Sequence, residues 1–367
     1  MSTEPPSVLT DQNPFYKKLS LNLISIALIC LALYLGQEIL VPIFFSMLLS
    51  ALLVPIVNFL TRKGFHRALS ISLSLIISLI LLFGVLYFLI TQVANFLDDS
   101  DIIKDKFNAL AKQAQHWVSE NLNVGIRKQN QYIHDTTEKM KTSGPALVGQ
   151  TFLSITQIIS YLIFIPIYTF LLMHYKDLIK KFLIDIFKST NSTKVMSIIH
   201  ECQTVSLYYV TGLLIEMSIV FALNAAGFLV LGIQYAIFLG LVAALLNLIP
   251  YVGMLVANVF CMVITLLFST ELSSVFWVGV ILAAVQLIDN NILMPLIVGN
   301  RVRINAMATV IGVLIGGALC GVAGMFLAIP GVAVLKVIFD RVDSLKPWGL
   351  IMGDANGNSK KIIKRKI

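Results

Sequence analysis

The chain has 367 residues, of which 57% are apolar and only 13% charged, and its mean hydropathy is +0.87. Globular domains carry about 25% charged residues, so the composition argues against a soluble enzyme and for a polytopic membrane protein. A net charge of +8 in so apolar a chain points to cytoplasmic loops and anionic lipid rather than nucleic acid, and four scattered cysteines without a C-x-x-C pair exclude a disulfide framework or zinc knuckle.

A helix crossing the hydrocarbon core needs about 20 residues. Uncharged windows long enough for one span each run over 19–37, 39–61, 68–97 and 142–175. Residues 1–18 form a cytoplasmic N-terminus. The first window follows Lys17 and Lys18 and has no small-residue cleavage site, so it reads as a retained span. Three N-terminal spans then fill 19–95. Residues 96–150 form an extracytoplasmic helical insert, with apolar residues at helical spacing from Ile103 to Leu122. His116 and His134 lie there without a third ligand at metal spacing and read as surface histidines.

A fourth span occupies 151–175. Residues 176–205 mix Lys and Asp with Leu178, Phe182, Ile186 and Ile198, the pattern of an amphipathic helix on the inner interface or of a cytoplasmic helix packed on protein. The core follows over 206–340, and a basic cytoplasmic tail over 341–367. The tail's Lys360-Lys361-Ile362-Ile363-Lys364-Arg365-Lys366 reads either as a segment on anionic head groups or as a solvated tail. Basic residues mark the cytoplasmic side. Lys17, Arg62, Lys176, Arg301 and Lys336 then give one consistent topology with both termini inside.

Two stretches of the core are interrupted. Residues 235–268 are apolar, too long for one ordinary helix and short for two spans, with Asn247-Leu248-Ile249-Pro250-Tyr251-Val252-Gly253 in the middle. Residues 304–338 repeat the arrangement, with Gly316-Gly317, Gly321 and Gly324 central and Ile329-Pro330-Gly331 beyond. Proline breaks a helix and glycine tolerates the dihedrals of the break. The first break is entered from outside and the second from inside. Each is either a re-entrant hairpin or a pair of short spans. Paired Pro/Gly interruptions in a transporter point to a central site; kinked helices packing through small residues are the blander reading.

Between the breaks, Gln286, Asp289 and Asn290 share a helix face, with Asn291 beside them. From Val195 to Asn300 there is no Lys or Arg. A carboxylate within a span faces the bundle interior or water. Asp289, with no basic residue near in sequence, suits a group that takes up and releases a proton or cation, and Glu216 in the fifth apolar span has the same credentials. Asn22, Asn58 and Asn224 read as isolated helix–helix hydrogen bonds. No nucleotide-binding loop, metalloprotease, serine-hydrolase or channel-filter motif is present, so no enzyme activity, metal or cofactor is expected.

Three ordered motifs carry a family resemblance: AALLNLIPYVG (Ala243 to Gly253), DNNILMPLIVGNRV (Asp289 to Val302) and GVAGMFLAIPGVAVLKVI (Gly321 to Ile338). With the Pro42/Pro55 pair of spans and the insert, the chain resembles the autoinducer-2 exporter (AI-2E) family over nearly its whole length. Where that family commonly reads Leu-His-Pro after the last loop glycine, this chain has Ile304-Asn305-Ala306. The resemblance implies a multi-pass bacterial inner-membrane transporter and a homo-oligomer, with a pentamer among the options. It also implies export of the quorum-sensing signal autoinducer-2 in some relatives and sodium or lithium/proton antiport in others.

The expected fold is an all-α polytopic membrane protein of about eight membrane segments, two of them broken or re-entrant, plus the small insert. The expected function is secondary-active transport of a small polar solute, coupled to protons or a cation by alternating access. Asn247, Pro250, Tyr251, Gly253, Gln286, Asn290, Asn291 and Pro330 are the candidate substrate site, and Asp289, with Glu216 in reserve, is the candidate for ion coupling. Partners are the bilayer, a small polar solute, H+ or Na+, and further copies of the chain. A Na+(Li+)/H+ antiporter, a channel and a non-transporting scaffold are the alternatives.

Overall fold

A computed structural model describes residues 15–98, 157–186, 192–250, 252–269, 271–297 and 304–353, with a few positions between 106 and 120. The rest of the expected insert, the first fourteen residues, Tyr251 and the tail from 354 onward lie outside the described residues. Among the described residues there are helices and no strands. In chain order they are α1 (Phe15–Leu35), α2 (Gln37–Arg62), α3 (Arg67–Asp98), α4 (Gln157–His174), α5 (Lys176–Ile186), α6 (Ser192–Val230), α7 (Ala236–Asn247), α8 (Val252–Phe268), α9 (Leu272–Ile288), a π-helical turn (Asp289–Leu293), α10 (Met294–Ile297), α11 (Ala306–Arg341) and α12 (Lys346–Met352). Six stretches are long and apolar enough to cross a membrane: α2, α3, α4, α6, α9 through α10, and α11. The chain is thus the all-helical polytopic membrane protein that its composition describes.

Small hydroxyl residues draw α2, α3 and α4 together. Ser46, Ser70, Ser74 and Thr169 are fully buried, as small-residue contacts between membrane helices require. The Ser46 hydroxyl bonds the Pro42 carbonyl at 2.6 Å and the Ile165 carbonyl of α4 at 2.9 Å. It thereby ties α4 to the turn of α2 where proline removes a donor. Leu53, Val57, Ile71, Leu75 and Met173 complete this layer.

Helix α6 organises the other half. Its 39 residues, about 58 Å at 1.5 Å per residue, run unbroken across the boundary that the charge pattern puts at 205/206. The polar start and the apolar span are one rod, because no Pro or Gly stands between Ser192 and Thr211 to stop it. Against α6 pack α7, α9 and α11.

Both interrupted stretches fold back on themselves. In the first, Phe238 faces Phe260, Leu239 faces Cys261 and Leu246 faces Gly253, so α7 and α8 are antiparallel. Helix α7 spans only about 18 Å, well short of a hydrocarbon core of about 30 Å. The turn follows from its residues. Pro250 cannot continue the helix without striking the carbonyl one turn back, and that carbonyl, Leu246 O, is where the returning strand of chain crosses. A Cβ on Gly253 would stand 1.7 Å from it.

The second hairpin lies within α11. Cys320 (φ −135°, ψ 21°) and Gly321 (φ 59°, ψ −145°) leave the helix, and the arms meet at Gly316 against Gly324, Gly317 against Met325 and Gly312 against Val332. The break falls at Gly321. The Ile329-Pro330-Gly331 stretch does not turn the chain: Pro330 is buried inside the second arm, and the helix continues past it to Arg341.

Ion pairs gather at the end of the bundle that carries the basic residues. Arg67 pairs with Asp177 at 2.6 Å and also donates to the Met173 carbonyl, Arg341 pairs with Glu201 at 2.7 Å, and Lys194 and Lys346 share Asp343. The hydrogen bond from Arg67 holds the Asp177 carboxyl below its ordinary value of 3.8.

Three outcomes are expected. Gly253→Ala places a methyl against backbone and lowers stability by about 3 kcal/mol, read as the melting temperature in detergent. Gly331→Ala, whose Cβ meets nothing within 4 Å, leaves it within about 0.5 kcal/mol. Because the folded pKa of Asp177 is depressed, its pair with Arg67 stabilises above the unfolded value and fades as pH falls through the lowered one. The melting-temperature gap between wild type and Asp177→Asn is therefore small, since the pair is exposed, and closes below about pH 4.

Candidate functional site

Where α6, the α7–α8 hairpin and α9 meet, the apolar packing gives way to a cavity of about 20 Å³, room for roughly one water or bare ion. Each of these helices sends a polar group to it. Helix α6 lines it with Val220 and Asn224, and Glu216 stands one turn before Val220, outside the lining; all three are buried. Helix α7 ends on Asn247, α8 contributes Asn258, and α9 brings Gln286, with Asp289 opening the π turn that follows. The backbones come close enough for this because α7 crosses α6 at a glycine: a Cβ on Gly240 would lie 2.8 Å from the Ala225 nitrogen, the residue after Asn224.

The π turn has a local cause. Pro295 has no N–H to give to the preceding turn and its ring crowds the carbonyl there, so the helix widens. The Met294 N–H reaches back to the Asp289 carbonyl. Asn291 donates its side chain to the Leu287 carbonyl at 2.8 Å. Such π turns recur at functional sites, and this one carries Asp289 into the bundle.

Asp289 is 4% exposed. Its Oδ2 accepts a hydrogen bond from Asn247 Nδ2 at 3.0 Å. Glu216, 7% exposed, lies within interaction range of the same carboxyl. Three buried side-chain oxygens among the described residues have no hydrogen-bond donor: Asp289 Oδ1, Glu216 Oε2 and Asn224 Oδ1. All three are acceptors, and they belong to this one region. A buried acceptor without a donor costs about 1–3 kcal/mol, more for a charged group. The arrangement therefore fits a proton or a hard cation that takes oxygen ligands. No group of three or more His, Cys, Asp or Glu occurs among the described residues, so the oxygens of two acids and the amides are what a cation would meet.

Of the other expected site residues, Gln286 lines the cavity and donates to Asn290 Oδ1 at 3.0 Å. Asn290 and Asn291 are exposed on the turn. Pro250 and Gly253 shape the hairpin turn just beyond Asn247, and Tyr251 lies outside the described residues. Pro330 is apart from the cavity: the second hairpin meets α6 through Val313 and Ile329 against Tyr209, two turns before Glu216. Asn258, whose amide stands near the first break in the sequence, lines the cavity, and so does Asn224, which the sequence reads as an isolated helix–helix hydrogen bond. The signal for Asn224 is its register, eight residues after Glu216 on the same face.

The chain matches the AI-2E family of transporters over residues 23–344. It belongs to that family. Its relatives include "Putative transport protein YrrI" of Bacillus subtilis, 26% identical over 320 residues that cover 82% of this chain and 86% of the relative. "Putative transport protein YhhT" of Escherichia coli is 24% identical over 346 residues, 93% of this chain and 95% of the relative. "Putative transport protein MT0215" of Mycobacterium tuberculosis is 25% identical over 305 residues, 81% of each. As an AI-2E family transporter the chain is a multi-pass membrane protein of a bacterial transporter family. The motif from Ala243 to Gly253 that carried the resemblance holds the first hairpin's turn, and the one beginning at Asp289 holds the π turn.

Removing the donor and removing the charge have opposite expected effects. Asn247→Ala leaves Asp289 with both oxygens bare and lowers stability by about 1–3 kcal/mol. Asp289→Asn takes away the charge and supplies a donor, and stability is kept or raised. Thermal unfolding of the purified protein near neutral pH reads both.

Proposed function

We propose that this AI-2E family transporter is a secondary-active carrier of the bacterial inner membrane, coupled to a proton or small cation at the Asp289–Glu216 pair. The observation that carries the reading is the pair itself: two buried carboxyls within interaction range of each other, one of them, Asp289, lining with Asn224 a space of about 20 Å³ that has no basic side chain in its lining. Such acids inside membrane spans mark ion and proton pathways. The α7–α8 hairpin acts as the mobile element, re-entrant from one side of the membrane, with its turn at Asn247 to Gly253 meeting Asp289. Movement of this hairpin against α6 and α9 opens the site alternately to the two sides.

The small polar solute binds when that movement widens the cavity, against Asn247, Asn258 and Gln286. An exporter of autoinducer-2-like solutes and a Na+(Li+)/H+ antiporter both use this device. The cavity's size and its set of oxygen ligands favour the antiporter for the conformation at hand, since it has room for an ion and not for a larger solute.

The test is flux in proteoliposomes under an imposed pH gradient, with sodium, lithium and small polyhydroxylated solutes as substrates. Wild type is expected to show gradient-driven flux. Asp289→Asn is expected to abolish its dependence on the gradient, and Glu216→Gln to weaken it about a hundredfold or more, the loss typical of one removed proton-transfer group. A double variant Asp289→Asn/Glu216→Gln with wild-type, equally pH-dependent flux removes the pair from the mechanism. Unitary conductance without saturation replaces the carrier with a channel.

A further inference from the structure

Helix α12 presents an apolar face that no other described residue covers. Gly349 is its buried residue, set against α11 so closely that a Cβ there would meet the Asp340 carboxylate at 2.3 Å. The opposite face holds Pro347, Trp348, Leu350 and Ile351, with Trp348 62%, Leu350 66% and Ile351 55% exposed. The helix is not loosely attached. The Asn305 backbone N–H donates to the Met352 carbonyl at 3.0 Å, and its side-chain amide donates to the carbonyls of Ile351 at 2.7 Å and Gly353 at 3.2 Å. The same side chain accepts from the Ala308 N–H at 2.8 Å, capping the first arm of the second hairpin. One residue thus fastens α12 to the start of that hairpin.

The surroundings say what covers the face. Helix α12 sits at the end of the bundle where Arg67, Lys194, Arg341 and Lys346 gather. The next fourteen residues of the chain carry Lys360, Lys361, Lys364, Arg365 and Lys366 against a single acid, Asp354. A short helix with tryptophan on an apolar face, at the basic end of a membrane bundle and followed by a basic cluster, has the chemistry of a lipid interface: the indole sits at head-group level and the cluster attracts anionic head groups.

We infer that α12 is a lipid-surface anchor: its Pro347–Trp348–Leu350–Ile351 face beds into the head-group boundary of the protein's own membrane, and the basic residues that follow make the contact selective for anionic lipid. Asn305 transmits the position of α12 to the second hairpin. The inference rests on membrane residence and not on the coupling role of Asp289 and Glu216.

The experiment uses the full chain in vesicles, with Trp117→Phe and Trp277→Phe leaving Trp348 as the only tryptophan. Emission of Trp348 is read against acrylamide in the water and brominated acyl chains in the lipid. Vesicles are of phosphatidylcholine alone or with added phosphatidylglycerol. The expected result is blue-shifted emission, quenching by brominated lipid, protection from acrylamide, and an increase of both effects with phosphatidylglycerol. That increase is expected to vanish when Lys360, Lys361, Lys364, Arg365 and Lys366 are all replaced by Gln. If the background variant does not fold, the difference between wild type and Trp348→Phe gives the same signal. Acrylamide quenching as strong as that of a free indole, without lipid quenching, overturns the proposal. Protection from both quenchers that grows with protein density assigns the face to a second copy and overturns it too. Equal lipid quenching in the two vesicle types removes the anionic-lipid assignment.

Discussion

Asp289 and Glu216 face each other in a bundle that has no lysine or arginine from Val195 to Asn300, and this fixes how the core is built. A carboxylate taken out of water without a partner costs several kcal/mol. Among the described residues one donor, the amide of Asn247, reaches Asp289, and acceptors are left over. Under the proposed function, a proton or a cation completes the charge balance. The helices around the pair bring the acids together without solving their electrostatics internally. That is a poor arrangement for a purely structural core and a fitting one for a site that loads and unloads.

Backbone chemistry makes the arrangement possible. Asn247 reaches Asp289 because α7 stops there, and α7 stops there because Pro250 cannot follow in helix. The return of the chain passes over the Leu246 carbonyl, a crossing only glycine allows. Gly240 lets α7 approach α6 within contact of backbone, which sets Asn224 and Asn247 on the walls of one space. Pro295 widens the end of α9 into a π turn whose first residue is Asp289. Each proline or glycine acts on conformation, and each places one side chain.

Much of this was legible in the sequence. The charge-free windows hold α1 through α4, of which α2, α3 and α4 are long and apolar enough to cross a membrane and the apolar part of α1 is shorter, and Pro250 marks the first turn because the rule it enforces is local. The pairing of Asp289 with Glu216 was not legible, since 73 residues separate them and only the folding of α6 against α9 brings them together. Asn224 looked isolated when read alone; its partner in register, Glu216, becomes meaningful only once both are known to face inward. The roles of Pro250 and Pro330 could not be told apart for a similar reason. Proline has two tolerated settings, at a break and inside a packed helix, and the letters do not distinguish them. In the second hairpin, the positive φ of Gly321 turns the chain instead.

The brevity of α7 bears on how the protein is made. Twelve residues are too few to be recognised as a stop during translocation, and no positive charge stands near to orient them. The hairpin has no stable resting place in lipid on its own, because its turn exposes peptide groups that hydrocarbon cannot satisfy. It is held in place by its contacts with α6 and α9, so the acid-bearing helices are also the support of the segment between them.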